Sequence, residues 1–360
     1  MSTAASTRWG SRVRAQAAKV PPVSEYDALL LLSFGGPEGP DDVIPFLQNV
    51  TRGRGVPASR LAEVAEHYRA FGGVSPINAQ NRALLDAVRG ECARAGIDLP
   101  WYWGNRNWHP LLTDTLRRMR DDGVRRALAL VTSAYGSYSS CRQYLEDIAR
   151  ARAEVGEDAP VVDKIRHFHD HPGFVEPHAD AVRTALASLA QLGEARPRLI
   201  FTAHSIPERM NETSGPEGRR YSDQLAETAR LVASAAAPEL PYDLVWQSRS
   251  GPPRVRWLEP DVNDHLERLA DAGVTAVAVS PIGFVSDHLE VVWDLDHEAA
   301  ATAERLGLAY ARAAAPGTDP RFVAMVRELV AERLAGQPRR RLGALPVWDA
   351  CPAGCCAPAR

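Results

Sequence analysis

The segment Pro281–Glu298, PIGFVSDHLEVVWDLDHE, puts five acids and two histidines directly after a short apolar run. Successive residues of an α-helix turn by roughly 100°, so Asp287, Glu290, Asp294, His297 and Glu298 would share an arc about 100° wide. Like charges three and four positions apart cost a helix a few tenths of a kcal/mol per pair. A cation outside the helix is the simplest offset. Val291, Val292, Trp293 and Leu295 interleave with the acids, so the helix is expected to be buried, where unpartnered carboxylates are expensive. A row of carboxylates with an imidazole suits a divalent cation such as Fe²⁺, and it suits proton removal equally well. A solvated acidic face is the competing explanation.

A second group is Thr202-AHSIP, in which His204 closes an apolar strand. A lone histidine is more often a structural hydrogen-bonder than a ligand. Its place at a strand end, in the same half as the acidic segment, favours a role in a cleft. Third are aromatic, hydroxyl and arginine groups after the strands of the first half: Phe34-GGPE, Tyr68-RAFGGVSPIN and Tyr135-GSYSSCRQY, with Arg52, Arg54 and Arg142 nearby. Together they fit a flat, conjugated ligand bearing carboxylates, although each is also ordinary loop chemistry. Fourth is Cys351-PAGCC, three thiols within six residues. Its spacing matches neither a Cys₂His₂ zinc site nor a common ferredoxin, and Fe–S clusters want four thiolates. Cys141 could be the fourth if the tail folds back, so spacing leaves a metal site and a mobile thiol-rich tail both open. Cys92, inside a helical pattern, reads as packing.

The elements that must hold these groups are short apolar runs alternating with amphipathic segments, which means βαβ units and a mainly parallel sheet. Strands are expected in Tyr26-DALLLLSFGGPE, Gly123-VRRALALVTSAYGS, Pro197-RLIFTAHSIPE and Gly273-VTAVAVSPIGFVSD, with helices such as Leu111-LTDTLRRMRDD and His178-ADAVRTALASLAQLG between them. LLLLSFGGPE resembles LIFTAHSIPE, and GVRRALALVTSAYGS resembles GVTAVAVSPIGFVSD. Two similar α/β halves facing each other would leave a cleft at the C-terminal ends of their strands, where open α/β sheets bind ligands. The expected division is a tail at 1–24, halves at 25–170 and 171–315, and a C-terminal helix with the cysteine-bearing tail at 316–360, packing back on the first half.

Composition sets the outer bounds. Hydrophobic residues make up 45% and charged residues 24% of 360 residues, which is ordinary globular composition. A net charge of −3 leaves no basic excess to neutralise phosphates, which argues against a nucleic-acid binder. No run approaches the 18 or so apolar residues of a transmembrane span. Residues 1–24 hold three Arg and one Lys before the first acid, Glu25. A transit peptide has that character, but a disordered tail is the expected reading. Without a secretory apolar core the protein is expected in the cytoplasm.

LLLLSFGGPE, FGGVSPIN, TAHSIPERM, WQSRSGPPRVRWLEPDV and SPIGFVSDHLEVVWDLDHEA occur in the order and approximate spacing of ferrochelatases, and the resemblance runs from about Tyr26 to Leu334. It is greatest to the actinobacterial branch associated with coproporphyrin III. The resemblance implies an α/β chelatase fold of two Rossmann-like halves with parallel four-stranded sheets, and insertion of Fe²⁺ into a porphyrin in haem biosynthesis. It implies His204 and Glu290 as catalytic and metal-binding residues, with Asp294 and Glu298 as a path for metal or protons. Ser75, Tyr138, Phe34 and Arg52 fall where the family contacts porphyrin. Phe34 stands where some members have Tyr, so axial ligation from that side is not carried over. Cys141, Cys351, Cys355 and Cys356 match the ligands of that branch's [2Fe-2S] cluster. Transient contact with neighbouring haem-pathway enzymes also belongs to what the resemblance implies. Protoporphyrin IX, a cobalt or nickel chelatase, and a porphyrin or haem carrier are the alternatives.

Overall fold

The computed structural model describes residues 25–53, 55–193, 197–251 and 254–358. The tail expected at 1–24 and Arg54 lie outside the described residues. Two wholly parallel four-stranded sheets organise the chain. The first contains β1 (Ala28–Ser33), β2 (Trp101–Asn105), β3 (Arg126–Val131) and β4 (Val161–Lys164) in the order β2-β1-β3-β4. The second contains β5 (Pro197–His204), β6 (Tyr242–Gln247), β7 (Ala276–Ser280) and β8 (Ala309–Arg312) in the order β6-β5-β7-β8. The shared order confirms the duplication. Every residue of β1 and β7 is buried, because crossover helices cover both faces of a parallel strand. Their unbroken apolar runs encode that position.

The helix expected from His178 spans Pro172–Gln191. Pro172 opens it, and His171 caps it by accepting from the Gly173 N–H at 3.0 Å. Pro177 sits inside its second turn and breaks the periodic signal there. One apolar core joins the two sheets, with Leu29, Leu31 and Leu128 from the first, Leu199, Phe201 and Ala278 from the second, and Phe174 and Phe322 between them. The helix Pro320–Ala335 packs on Ile77–Arg94 and on Pro172–Gln191, and Arg327 pairs with Glu91 across the first contact at 3.0 Å.

Two further helices, Val43–Val50 and Ala58–Ala70, follow β1 and form a separate apolar cluster through Phe46, Leu47, Ala65 and Tyr68. Leu289 of the acidic segment joins the same cluster, so it ties the two halves together beside the strand ends. Gly283 brings the acidic segment to that place. A Cβ there would lie 2.6 Å from the Ala203 Cβ, so only glycine lets the chain after β7 rest on the end of β5.

Candidate active site

His204 is the last residue of β5. Its Nδ1 faces the Ser205 carbonyl oxygen at 2.5 Å. A carbonyl can only accept, so Nδ1 carries the hydrogen and Nε2 keeps a free lone pair. Nε2 lies 3.8 Å from the Glu290 carboxylate. That gap is too wide for a hydrogen bond, but it falls within the roughly 4.2 Å that two ligands of one cation can span. Gln247, which ends β6, is the register partner of His204 and donates to Asp294 at 3.2 Å. Ser248 follows with φ of +59°, a left-handed conformation that non-glycine residues seldom adopt. From there its hydroxyl donates to the same Asp294 carboxylate.

The acidic helix differs from the regular α-helix expected. It begins at Leu289, because His288 is extended. Asp287 therefore lies outside the row and pairs with Arg312 at 3.1 Å. Val292–Ala299 is π-helical, a wide coil that recurs at functional sites. Its wider turn leaves residues four apart just short of a full turn, where an α-helix carries them just past it. Glu290, Asp294 and Glu298 remain together on the cavity wall. His297 packs instead on the Trp293 ring with centroids 4.6 Å apart. The segment is half as buried as expected: Val291 and Leu295 are fully enclosed, while Val292 and Trp293 are only half-buried.

Gln247, Ser248, Glu290, Asp294 and Glu298 border a cavity of about 280 Å³ with two unlike walls, and His204 reaches it only by way of Glu290. Phe34, Phe46, Leu47, Val50, Val64 and Tyr68 make an apolar wall from the first half, and Glu290, Asp294, Glu298 and Asp261 make an acidic wall from the second. Burial, with the Glu290 charge adding to it, raises the pKa of Asp294 to about 7 against the two hydrogen bonds that lower it. Burial also holds His288 below the ordinary imidazole range and raises Asp261. Asp261 was not singled out by the sequence. Its signal was its place in WQSRSGPPRVRWLEPDV, where it caps the helix Val262–Asp271. Arg60 and Arg249 also line the cavity.

The other expected porphyrin contacts are dispersed. Phe34 lines the cavity, but Arg52 borders a second cavity of about 310 Å³ with Arg106 and Arg150. Ser75 is buried, its N–H donating to the Pro37 carbonyl at 2.8 Å. Tyr138 donates to Glu146 at 2.9 Å.

A family profile described as Ferrochelatase matches residues 26–334. The chain belongs to the ferrochelatase family. The enzyme is therefore a metal chelatase, of the lyase class. It is 59% identical to "Coproporphyrin III ferrochelatase" of Nocardia farcinica, over 93% of this chain and 97% of that one. It is 56% identical to the protein of the same name from Streptomyces coelicolor, over 94% of each. Among solved structures it is similar to SirB from Bacillus subtilis with Fe3+, at 12% identity and a TM-score of 0.48, covering 86% of this chain and 96% of that one.

The enzyme's C-terminal thiols lie against both halves, Cys351 beside Cys141 of the first and Cys356 beside Gly215 of the second. Cys141 and Cys351 lie 3.9 Å apart and Cys355 and Cys356 3.7 Å apart, sulfur to sulfur. Lys164 donates to the Cys141 sulfur at 3.1 Å, and Gly215 N–H to the Cys356 sulfur at 3.1 Å. The hydrogen bond with Cys351 depresses the Cys141 pKa, helped by His167 and Lys164. Cys92 is apart from this group, and burial raises its thiol to about 11, as a packing residue requires.

His169, Asp170 and Glu227 also bring ligand atoms within 4.8 Å of one another. Glu227 already accepts from His169, Ala344 and Leu345, and Asp170 is paired with Arg341 at 2.7 Å. This group fastens the C-terminal segment to the body. Among the described residues, no helix is long and apolar enough to cross a membrane.

Proposed function

We propose that this chelatase inserts Fe²⁺ into coproporphyrin III, with His204 and Glu290 acting at the macrocycle centre. The observation that carries the reading is the two-faced cavity, whose acidic side includes Glu290, with His204 Nε2 3.8 Å from that carboxylate. A planar macrocycle lies against the apolar wall, with Phe34 at its edge. Its two inner N–H protons leave as the ion enters, so the free porphyrin and Fe²⁺ give the metalloporphyrin and two protons. The free Nε2 of His204 and the Glu290 carboxylate accept protons and hold the incoming ion. Asp294 and Glu298 continue that path outward, and Asp294 is fitted to proton transfer by its pKa near neutrality. Ser75, Tyr138 and Arg52 are kept as porphyrin contacts only for a cleft more open than this one.

The coproporphyrin assignment is supported by the names of relatives at 56–59% identity, and by Arg60 and Arg249 at the cavity. Coproporphyrin III has propionates where protoporphyrin IX has two vinyls, and arginines reward added carboxylates. The expected result is a kcat/KM at least tenfold higher for coproporphyrin III in a steady-state assay with ferrous iron. Equal or reversed values defeat the assignment.

The four clustered thiols are proposed to hold a [2Fe-2S] cluster. Two thiolates on one tetrahedral iron with bonds of about 2.3 Å stand roughly 3.8 Å apart, and both thiol pairs match that spacing. When bound, such a group supplies a covalent brace for the tail and a one-electron centre, whereas iron insertion itself transfers no electron. Protein purified anaerobically should be brown, and replacing any one of Cys141, Cys351, Cys355 or Cys356 by Ser should abolish its visible absorbance. A colourless wild-type preparation free of iron and sulfide excludes the cluster.

A further inference from the structure

The helix Arg220–Ala236 touches both the cysteine-bearing tail and the backbone of His204. Tyr221, at its second position, is buried and donates its hydroxyl to the His204 carbonyl oxygen at 2.8 Å. Its ring stacks on Trp246 with centroids 6.0 Å apart, which fixes where the hydroxyl points. The neighbouring residue, Arg220, lies over the Trp348 ring of the tail at 4.8 Å and reaches the Pro346 carbonyl. Two turns on, Glu227 accepts the Ala344 and Leu345 N–H groups.

The chain between His204 and this helix is held from the same side. Ser214 accepts the Tyr221 N–H through its hydroxyl at 3.0 Å and the Arg220 N–H through its carbonyl at 3.1 Å. The next residue, Gly215, donates to Cys356, and Thr213 donates to the Ala357 carbonyl at 3.1 Å. The loop that leaves His204 thus hangs on the tail at its far end, and Tyr221 closes it back onto His204. The start of the helix is likewise held by the tail through Arg220, and Tyr221 joins it directly to the metal-site histidine.

We propose that Tyr221 is a positioning residue that transmits the docked state of the C-terminal tail to His204. This rests on the reading of His204 as a metal-site residue. Without the phenol, the His204 carbonyl loses its buried donor and the strand end relaxes. Nε2 then leaves its place opposite Glu290. Porphyrin binding, which depends on the apolar wall of the other half, is untouched.

The test compares Tyr221→Phe, Trp348→Ala, their double variant and His204→Ala in the full-length holoenzyme. It measures kcat, KM for ferrous iron, and porphyrin Kd by quenching of porphyrin fluorescence. Tyr221→Phe is expected to lower kcat about tenfold with an unchanged porphyrin Kd. Trp348→Ala should lower kcat less, and the double variant should be no worse than Tyr221→Phe, since both act through one connection. An unchanged kcat in Tyr221→Phe overturns the proposal, as does a fall in porphyrin affinity matching the fall in kcat. Effects of the two substitutions that multiply overturn the link to the tail. If His204→Ala keeps its kcat, the reading of the site has failed. If only His204→Ala is impaired, that reading stands and the inference about Tyr221 falls.

Discussion

Glu290→Gln is expected to lower kcat at least a hundredfold while leaving porphyrin affinity near that of the parent enzyme. A glutamine keeps the shape of the side chain but can neither accept a pyrrole proton nor neutralise an entering dication, and general-base groups contribute typically 10²–10⁴-fold. His204→Ala should cost as much, because it removes the one nitrogen lone pair that the Ser205 carbonyl leaves free. Glu290 and His204 lie 3.8 Å apart, and in the proposed mechanism they act on one ion. The double variant should therefore be little worse than either single one, as groups working as a unit are far from additive. The measurement is steady-state insertion of ferrous iron, with porphyrin Kd determined separately by fluorescence. Near-parental kcat in both single variants would remove these residues from the chemistry.

What the sequence disclosed of this arrangement follows from burial. Among the described residues, β1, β3, β5 and β7 are the inner strands of the two sheets, and their unbroken apolar runs were legible. The edge strands β2, β4, β6 and β8 were not. WYWGN carries a polar end, VVDK is four residues long, YDLVWQ starts exposed, and all four residues of AYAR are only half-buried. An edge strand has one neighbour and less apolar demand, so its sequence is less constrained. His204, Glu290, Asp294 and Glu298 were legible because acid and imidazole at strand ends stand out against apolar runs. The π-helical geometry was not, since no residue type demands it. Ser248 and Asp261 escaped notice because their roles arise from a backbone turn and from a packing neighbour. The return of the cysteine tail to Cys141 bridges 210 positions, which no local pattern encodes.

Asp294 gives the acidic wall a dependence on pH whose sign is fixed. Its pKa is raised from 3.8 to about 7 in the folded protein, chiefly by burial. Between those values the native state holds a proton that the unfolded chain has lost, so stability falls as pH rises through that window. Below about pH 4 both states are protonated, and above about pH 7 both are ionised, so the curve is flat outside it. A shift of this size corresponds to about 2–4 kcal/mol after allowance for partial solvent access. Asp294→Asn keeps an oxygen for Gln247 and Ser248 but never ionises. The variant should match the parent near pH 4, exceed it in denaturant stability near pH 8, and show a shallower slope between. Its catalytic profile should change in the opposite sense. The parent's kcat should rise through pH 7 as Asp294 ionises and can take a proton from Glu290, and the variant should lack that limb and stay low. Denaturant midpoints at three pH values and a kcat–pH profile decide it, and an Asn variant that keeps the parent's slope in both would show that Asp294 titrates at its ordinary value.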